Sequence, residues 1–121
     1  MTDQRGSVTL LAAAVMLMVM VLVLGLADMA RTLSSSARAQ TAADLAALAA
    51  VQELAIPSAS TPESVAAEYS RANGAELVRC DCSPGSIQAV VEVKRTTGDL
   101  LLVPGPKEVR ATARAVVDLP Q

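Results

Sequence analysis

The chain has 121 residues, a formal net charge of −2 and no histidine. An acidic balance with no basic cluster beyond Lys94-Arg95 offers nucleic acid no electrostatic footprint, and the missing histidine removes the commonest general base and metal ligand of neutral pH. Phe and Trp are absent and Tyr69 is the only aromatic, so the core lacks large rigid pieces and must lean on the chain's own long helix or on neighbours.

Residues 1–6 form a polar leader-like tail in which Asp3 and Arg5 cancel. The next segment, 8–27, reads VTLLAAAVMLMVMVLVLGLA, with no charge and Thr9 as its only hydroxyl. As a helix rising 1.5 Å per residue it reaches about 30 Å, the thickness of bilayer hydrocarbon. In lipid every backbone group must be bonded internally, so a helix is the practical form for one crossing segment. A buried soluble helix and a cleaved secretory signal are the competing readings. Gly25-Leu26-Ala27 is small at both cleavage-determining positions, but the apolar run exceeds the about 7–15 residues of a signal core.

From Asp28 to Ile56 there is no Gly or Pro, and alanine, the best helix former, dominates. One continuous helix over 7–56, about 70 Å long, is therefore expected, ended by Pro57. Leu33, Ala37, Thr41, Leu45, Leu48, Gln52 and Ala55 recur at spacings of three and four. Ala37, Thr41, Leu45, Leu48 and Gln52 are the candidate helix-packing residues, on a rod whose alanines between 37 and 50 let another backbone come close. Asp28 precedes Arg31 by three, a spacing that suits a local ion pair at the lipid boundary.

Residues 57–121 are expected to form a small extramembrane α+β domain. Thr61 is a good N-cap with Pro62 at the first helical position; Val65, Tyr69 and Ala72 make the expected apolar side, and Asn73-Gly74 stop the helix. The period then changes to two, which predicts strands over 76–80, 87–95 and 109–117. Ile87, Ala89, Val91 and Val93 share one side of the middle strand, and Val109, Ala111, Ala113, Ala115 and Val117 one side of the last. The fold class is thus α+β: a long N-terminal transmembrane helix continuing outside the bilayer, a short second helix, and a small antiparallel sheet of about three strands with one face covered. Leu100-Leu101-Leu102-Val103 before Pro104, Gly105 and Pro106 reads equally as a fourth short strand, a loop clamped on the core or a contact surface.

No Walker loop, GxGxxG or GxSxG motif occurs, so neither an enzyme nor a cofactor or metal site is expected. Cys80 and Cys82 stand at the end of the first strand. An intramolecular disulfide, an intermolecular or redox role, and buried thiols all remain open for this pair.

The order of a short tail ending in Gly6, an uncharged helix and a small α+β domain resembles pilins and pseudopilins. Arg5-Gly6-Ser7-Val8-Thr9-Leu10 looks like a prepilin peptidase region, and ARAQTAADLAALAA (37–50) resembles the stretch after the membrane helix in the TadE/TadG group of tight-adherence (Flp) pilus proteins. NGAELVRC and ATARAVV look like parts of the actinobacterial TadE-like proteins. The resemblance implies a pilin-like fold, cleavage by a prepilin peptidase between Gly6 and Ser7, and pilin-like subunits or Tad assembly machinery as partners, alongside the membrane. It also implies a cytoplasmic N-terminus with the C-terminal domain outside. Charge alone does not, since Arg5 precedes the span whereas Arg31 and Arg38 follow it. Pilins carry Glu at the fifth mature position, here Leu11. The departure points to a minor pseudopilin or accessory component rather than a repetitive major subunit. The alternative is an exported small binding domain with an ordinary signal peptide or membrane anchor.

Overall fold

The computed structural model describes residues 4–118, with side chains from Gly6 onward. Met1, Thr2 and Asp3 of the leader-like tail lie outside the described residues. Helix α1 runs Gln4–Ala55, α2 Pro62–Ala72, and three strands follow: β1 Glu76–Asp81, β2 Gln88–Thr96 and β3 Glu108–Val116. The strands form one antiparallel sheet in the order β1-β2-β3.

Helix α1 is continuous over 52 residues, about 78 Å at the standard rise. It begins at Gln4 rather than Ser7, because Gln4 and Arg5 are themselves good helix formers. Ile56 N–H closes the final turn onto the Gln52 carbonyl at 2.8 Å, and Pro57 follows. Along its first half the helix touches almost nothing: Leu10 is 74% exposed and Met16 78%.

The second half of α1 is different, because the sheet and α2 are laid against it. Ala39, Ala42, Ala43, Ala46, Ala47 and Ala50 are buried, as are Ala89, Val91 and Val93 of β2 and Ala111 and Ala113 of β3. Alanine on both sides brings helix and sheet close, which gives extensive contact from small side chains. From the outer edge Gln40 Nε2 reaches the Thr112 carbonyl at 3.3 Å.

Helix α2 starts as its sequence requires. Thr61 Oγ1 accepts from Ser64 N–H at 3.2 Å, the Thr61 N–H donates back to Ser64 Oγ at 3.1 Å, and Pro62 opens the helix. Its inward side is Ala66 and Ser70, not the expected Val65, Tyr69 and Ala72: Tyr69 is 45% exposed, whereas Ala66 and Ser70 are fully buried. Small residues win this face because α2 lies close against α1, and Ser70 is tolerated there because its hydroxyl donates to the Ala66 carbonyl at 2.7 Å. Gly74, at φ +72°, ends the helix; a Cβ there would sit 2.5 Å from Arg95 Nη1. Arg95 Nη1 in turn donates to the Gly74 carbonyl at 2.8 Å, placing a cation at the helix C-terminus.

Strand β1 carries a bulge. Leu77 pairs with Val93 but Arg79 with Glu92, so Val78 is extra. The bulge reverses the facing of every later residue, which turns Leu77, Cys80 and Cys82 all toward the core. Cys80 and Cys82 are disulfide-linked, with Cα atoms 5.4 Å apart. On β2 the inward side is Ala89, Val91 and Val93, while Ile87, expected to join them, lies just before the strand and is 59% exposed. The outer face is charged: Lys94 lies opposite Arg110 in register, and Glu92 and Glu108 separate the like charges by pairing with Arg110 at 3.4 Å and 3.0 Å. Such exposed pairs each contribute about 0–1 kcal/mol.

The helix–sheet contact predicts an asymmetry between neighbouring positions. Ala46→Leu overfills the contact and is expected to cost about 1–3 kcal/mol. Leu48→Ala, on the open side, should stay within about 0.5 kcal/mol. Chemical denaturation of the full chain in detergent, followed by circular dichroism of the sheet, checks both.

Candidate functional site

Three features of α1 can meet something outside the chain: its apolar first half, the open side of its second half, and a collar that joins it to the loop between β2 and β3.

The first half is long and apolar enough to cross a membrane, and none of its most apolar window is buried inside the protein. Val8, Leu11, Leu17, Met20 and Leu22 are all more than half exposed. Leaving this many large apolar side chains in water forgoes on the order of 10–20 kcal/mol, comparable with the about 5–15 kcal/mol that stabilises a whole domain. Lipid or other protein must therefore cover them. Gly6, the residue before the expected cut, and Ser7 lie within the first turns of this helix and are exposed.

On the second half, Ala37, Thr41, Leu45, Leu48 and Gln52 are exposed and lie opposite the alanine face that the sheet covers. The chain thus uses its closest-packing alanines on its own sheet and leaves the larger residues of the stripe outward. Leu33 is 60% exposed and Leu48 50%. Thr41 Oγ1 donates to the Ala37 carbonyl at 3.1 Å, so a partner could cover this side without stranding that hydroxyl.

The collar was not legible in the sequence. Residues 97–107 leave the sheet as a loop whose neck is pinned by Thr97: its N–H and hydroxyl donate to the Lys107 carbonyl at 2.7 and 2.9 Å, and its hydroxyl accepts from Lys107 N–H at 3.2 Å. Gly105, at φ +95°, turns the chain between Pro104 and Pro106. The segment 100–103 is neither strand nor core; it folds back onto α1 at the end of the uncharged stretch. Asp28 Oδ1 and Oδ2 accept from the N–H groups of Leu101 and Leu102, each at 2.7 Å, and Arg31 Nη1 donates to the Asp99 carbonyl at 3.2 Å. Arg31 therefore reaches the loop backbone while remaining a favourable charge beside Asp28.

Asp28 is 8% exposed. Its carboxyl is held below the ordinary 3.8, chiefly by the Leu101 N–H, with further lowering from Leu102 and Arg31 against an opposing burial effect. A carboxylate with a lowered folded-state pKa adds stability that is fully present above its unfolded value and is lost as the pH falls through the folded one.

Residues 6–53 match the sequence model of a family described as "Putative Flp pilus-assembly TadE/G-like". The match covers the apolar half of α1 and the alanine-rich half and ends just before the helix does, leaving α2 and the sheet outside it. It supports the general TadE/TadG assignment. No curated protein and no solved structure matches the chain.

The collar should open in acid. As the pH drops below 3.8 through the lowered carboxyl pKa, the amides of Leu101 and Leu102 are expected to lose hydrogen-exchange protection before those of β2. Asp28→Ala should expose both by about tenfold at neutral pH. Unchanged protection in the variant would count against the clamp.

Proposed function

We propose that the chain is a non-enzymatic structural component of a Tad/Flp-type pilus or secretion assembly, a minor pseudopilin or accessory subunit held in the membrane by residues 8–27. The observation that carries it is the coincidence of the family match over 6–53 with a single helix whose apolar half is unburied. Lipid gives no hydrophobic drive for helices to associate, so packing outside the span matters more. The open side of α1 through Ala37, Thr41, Leu45, Leu48 and Gln52 is the surface assigned to pilin-like subunits or to the assembly machinery.

The absence of a carboxylate at Leu11 supports the accessory role over the repetitive one. A mature N-terminal amine in lipid is costly unless paired, and Leu11 cannot neutralise a neighbour's. The domain is taken to stand outside the cytoplasm, where a Cys80–Cys82 disulfide persists.

N-terminal sequencing of the mature protein separates the readings. Ser7 supports prepilin-peptidase processing, Asp28 supports an exported domain with an ordinary signal peptide, and an intact terminus leaves a plain anchor. For the packing surface, Leu48→Asp should leave the fold unchanged, because Leu48 is half exposed, yet abolish pilus assembly or secretion in a strain that depends on the gene. Normal assembly with that variant, or in a deletion strain, would overturn the proposal.

A further inference from the structure

We infer that the loop tip Leu101-Leu102-Val103 is a second membrane contact, an apolar finger that enters the lipid surface beside the helix. The inference rests on residues 8–27 lying in lipid.

Three observations carry it. The first is position: Leu102 lies against the last turn of the uncharged stretch, where a Cβ on Gly25 would be 3.8 Å from Leu102 Cδ1, and Leu24, Gly25 and Ala27 are half-buried under the loop. Keeping the loop out of lipid would require the span to end before Leu24. Residues 8–23 provide only about 24 Å of helix, against the about 30 Å of a typical hydrocarbon core. The bilayer that covers the helix therefore meets the loop.

The second is chemistry. From Leu100 to Pro106 the loop carries no charge, and Leu101, Leu102 and Val103 are 51%, 47% and 41% exposed although the segment is held against α1 through Asp28. Leu26 and Met29, on other sides of the helix at the same level, are 66% and 60% exposed and also need cover.

The third is the pairing of the two leucine amides, which removes part of the backbone cost that keeps loops out of lipid and suits a shallow position where headgroup water reaches the remaining carbonyls. Asp28 takes the Leu101 and Leu102 amides, and Pro104 and Pro106 have none to satisfy. Two contacts at one level, a helix and a loop pinned to it, also fix the domain's height and rotation over the bilayer, which a single helix leaves free.

The chain contains no tryptophan, so single tryptophans report directly. The full chain is reconstituted into phosphatidylcholine vesicles with lipids brominated near the headgroup or near the bilayer centre. Leu102→Trp, with Leu101→Trp as a second variant, is expected to emit blue-shifted light and to lose roughly twofold intensity with shallow bromine. Leu17→Trp should be quenched by deep bromine, and Ile56→Trp, about 40 Å further along the helix from Asp28, by neither. Adding Asp28→Ala to Leu102→Trp should reduce its quenching, and unchanged quenching would overturn the role of the clamp.

Quenched Leu17→Trp with solvent-like, unquenched loop variants would overturn the finger and leave the anchor standing. Blue-shifted loop variants that no bromolipid quenches would show cover by protein, a second copy included, and overturn it as well. An unquenched Leu17→Trp would overturn the anchor and the finger with it.

Discussion

The alanine face of α1 and the alanine–valine face of the sheet hold the domain together by packing at close range. Alanine brings little area per residue, so the contact must be near to hold. Nearness in turn requires small residues on both partners, and Ala39, Ala42, Ala46 and Ala50 meet Ala89, Val91, Ala111 and Ala113 on these terms. The domain has no separate core of its own in this arrangement. One wall is the same helix whose other half is left apolar and bare.

That sharing couples the two halves mechanically. The helix has no Gly or Pro from Asp28 to Ile56 and is unbroken from Gln4 to Ala55, so a force or tilt at one end reaches the sheet through a rigid element rather than a linker. The collar adds a second connection at the level where the apolar stretch ends. Asp28 is the first charge after that stretch, and it is spent on loop amides rather than on water. A charge at that level is tolerated because two N–H groups and Arg31 compensate it.

The division of surfaces on α1 follows from side-chain size. Alanines turn inward because the sheet can approach only them, while Leu33, Leu45, Leu48 and Gln52 are left outward by the same geometry. The charged outer face of the sheet, with Glu92, Lys94, Glu108 and Arg110 in alternating register, suits solvent. The open side of the helix and the loop tip are the apolar surfaces best placed to meet something else.

Much of the architecture was readable from residue order: the long rod and its end at Pro57, the Thr61-Pro62 helix start, three strands with period-two alternation. These are set by local propensity and by binary patterning, which act within a few residues. The inward side of α2 departs from the pattern of apolar size, because closeness to α1 selects the small residues Ala66 and Ser70 as the buried ones. The bulge at Val78 that brings Leu77, Cys80 and Cys82 to one side depends on pairing with β2 and has no local signature. The collar lies furthest from any sequence rule. Asp28 and Leu102 are 74 positions apart, and no periodicity or propensity relates residues at that distance. The sequence alone determined where the chain is apolar, where it is helical and where it turns, since those follow from neighbours. Which face of the helix is closed and what the Asp28 carboxylate holds are settled later, because both depend on surfaces that meet after the chain has folded.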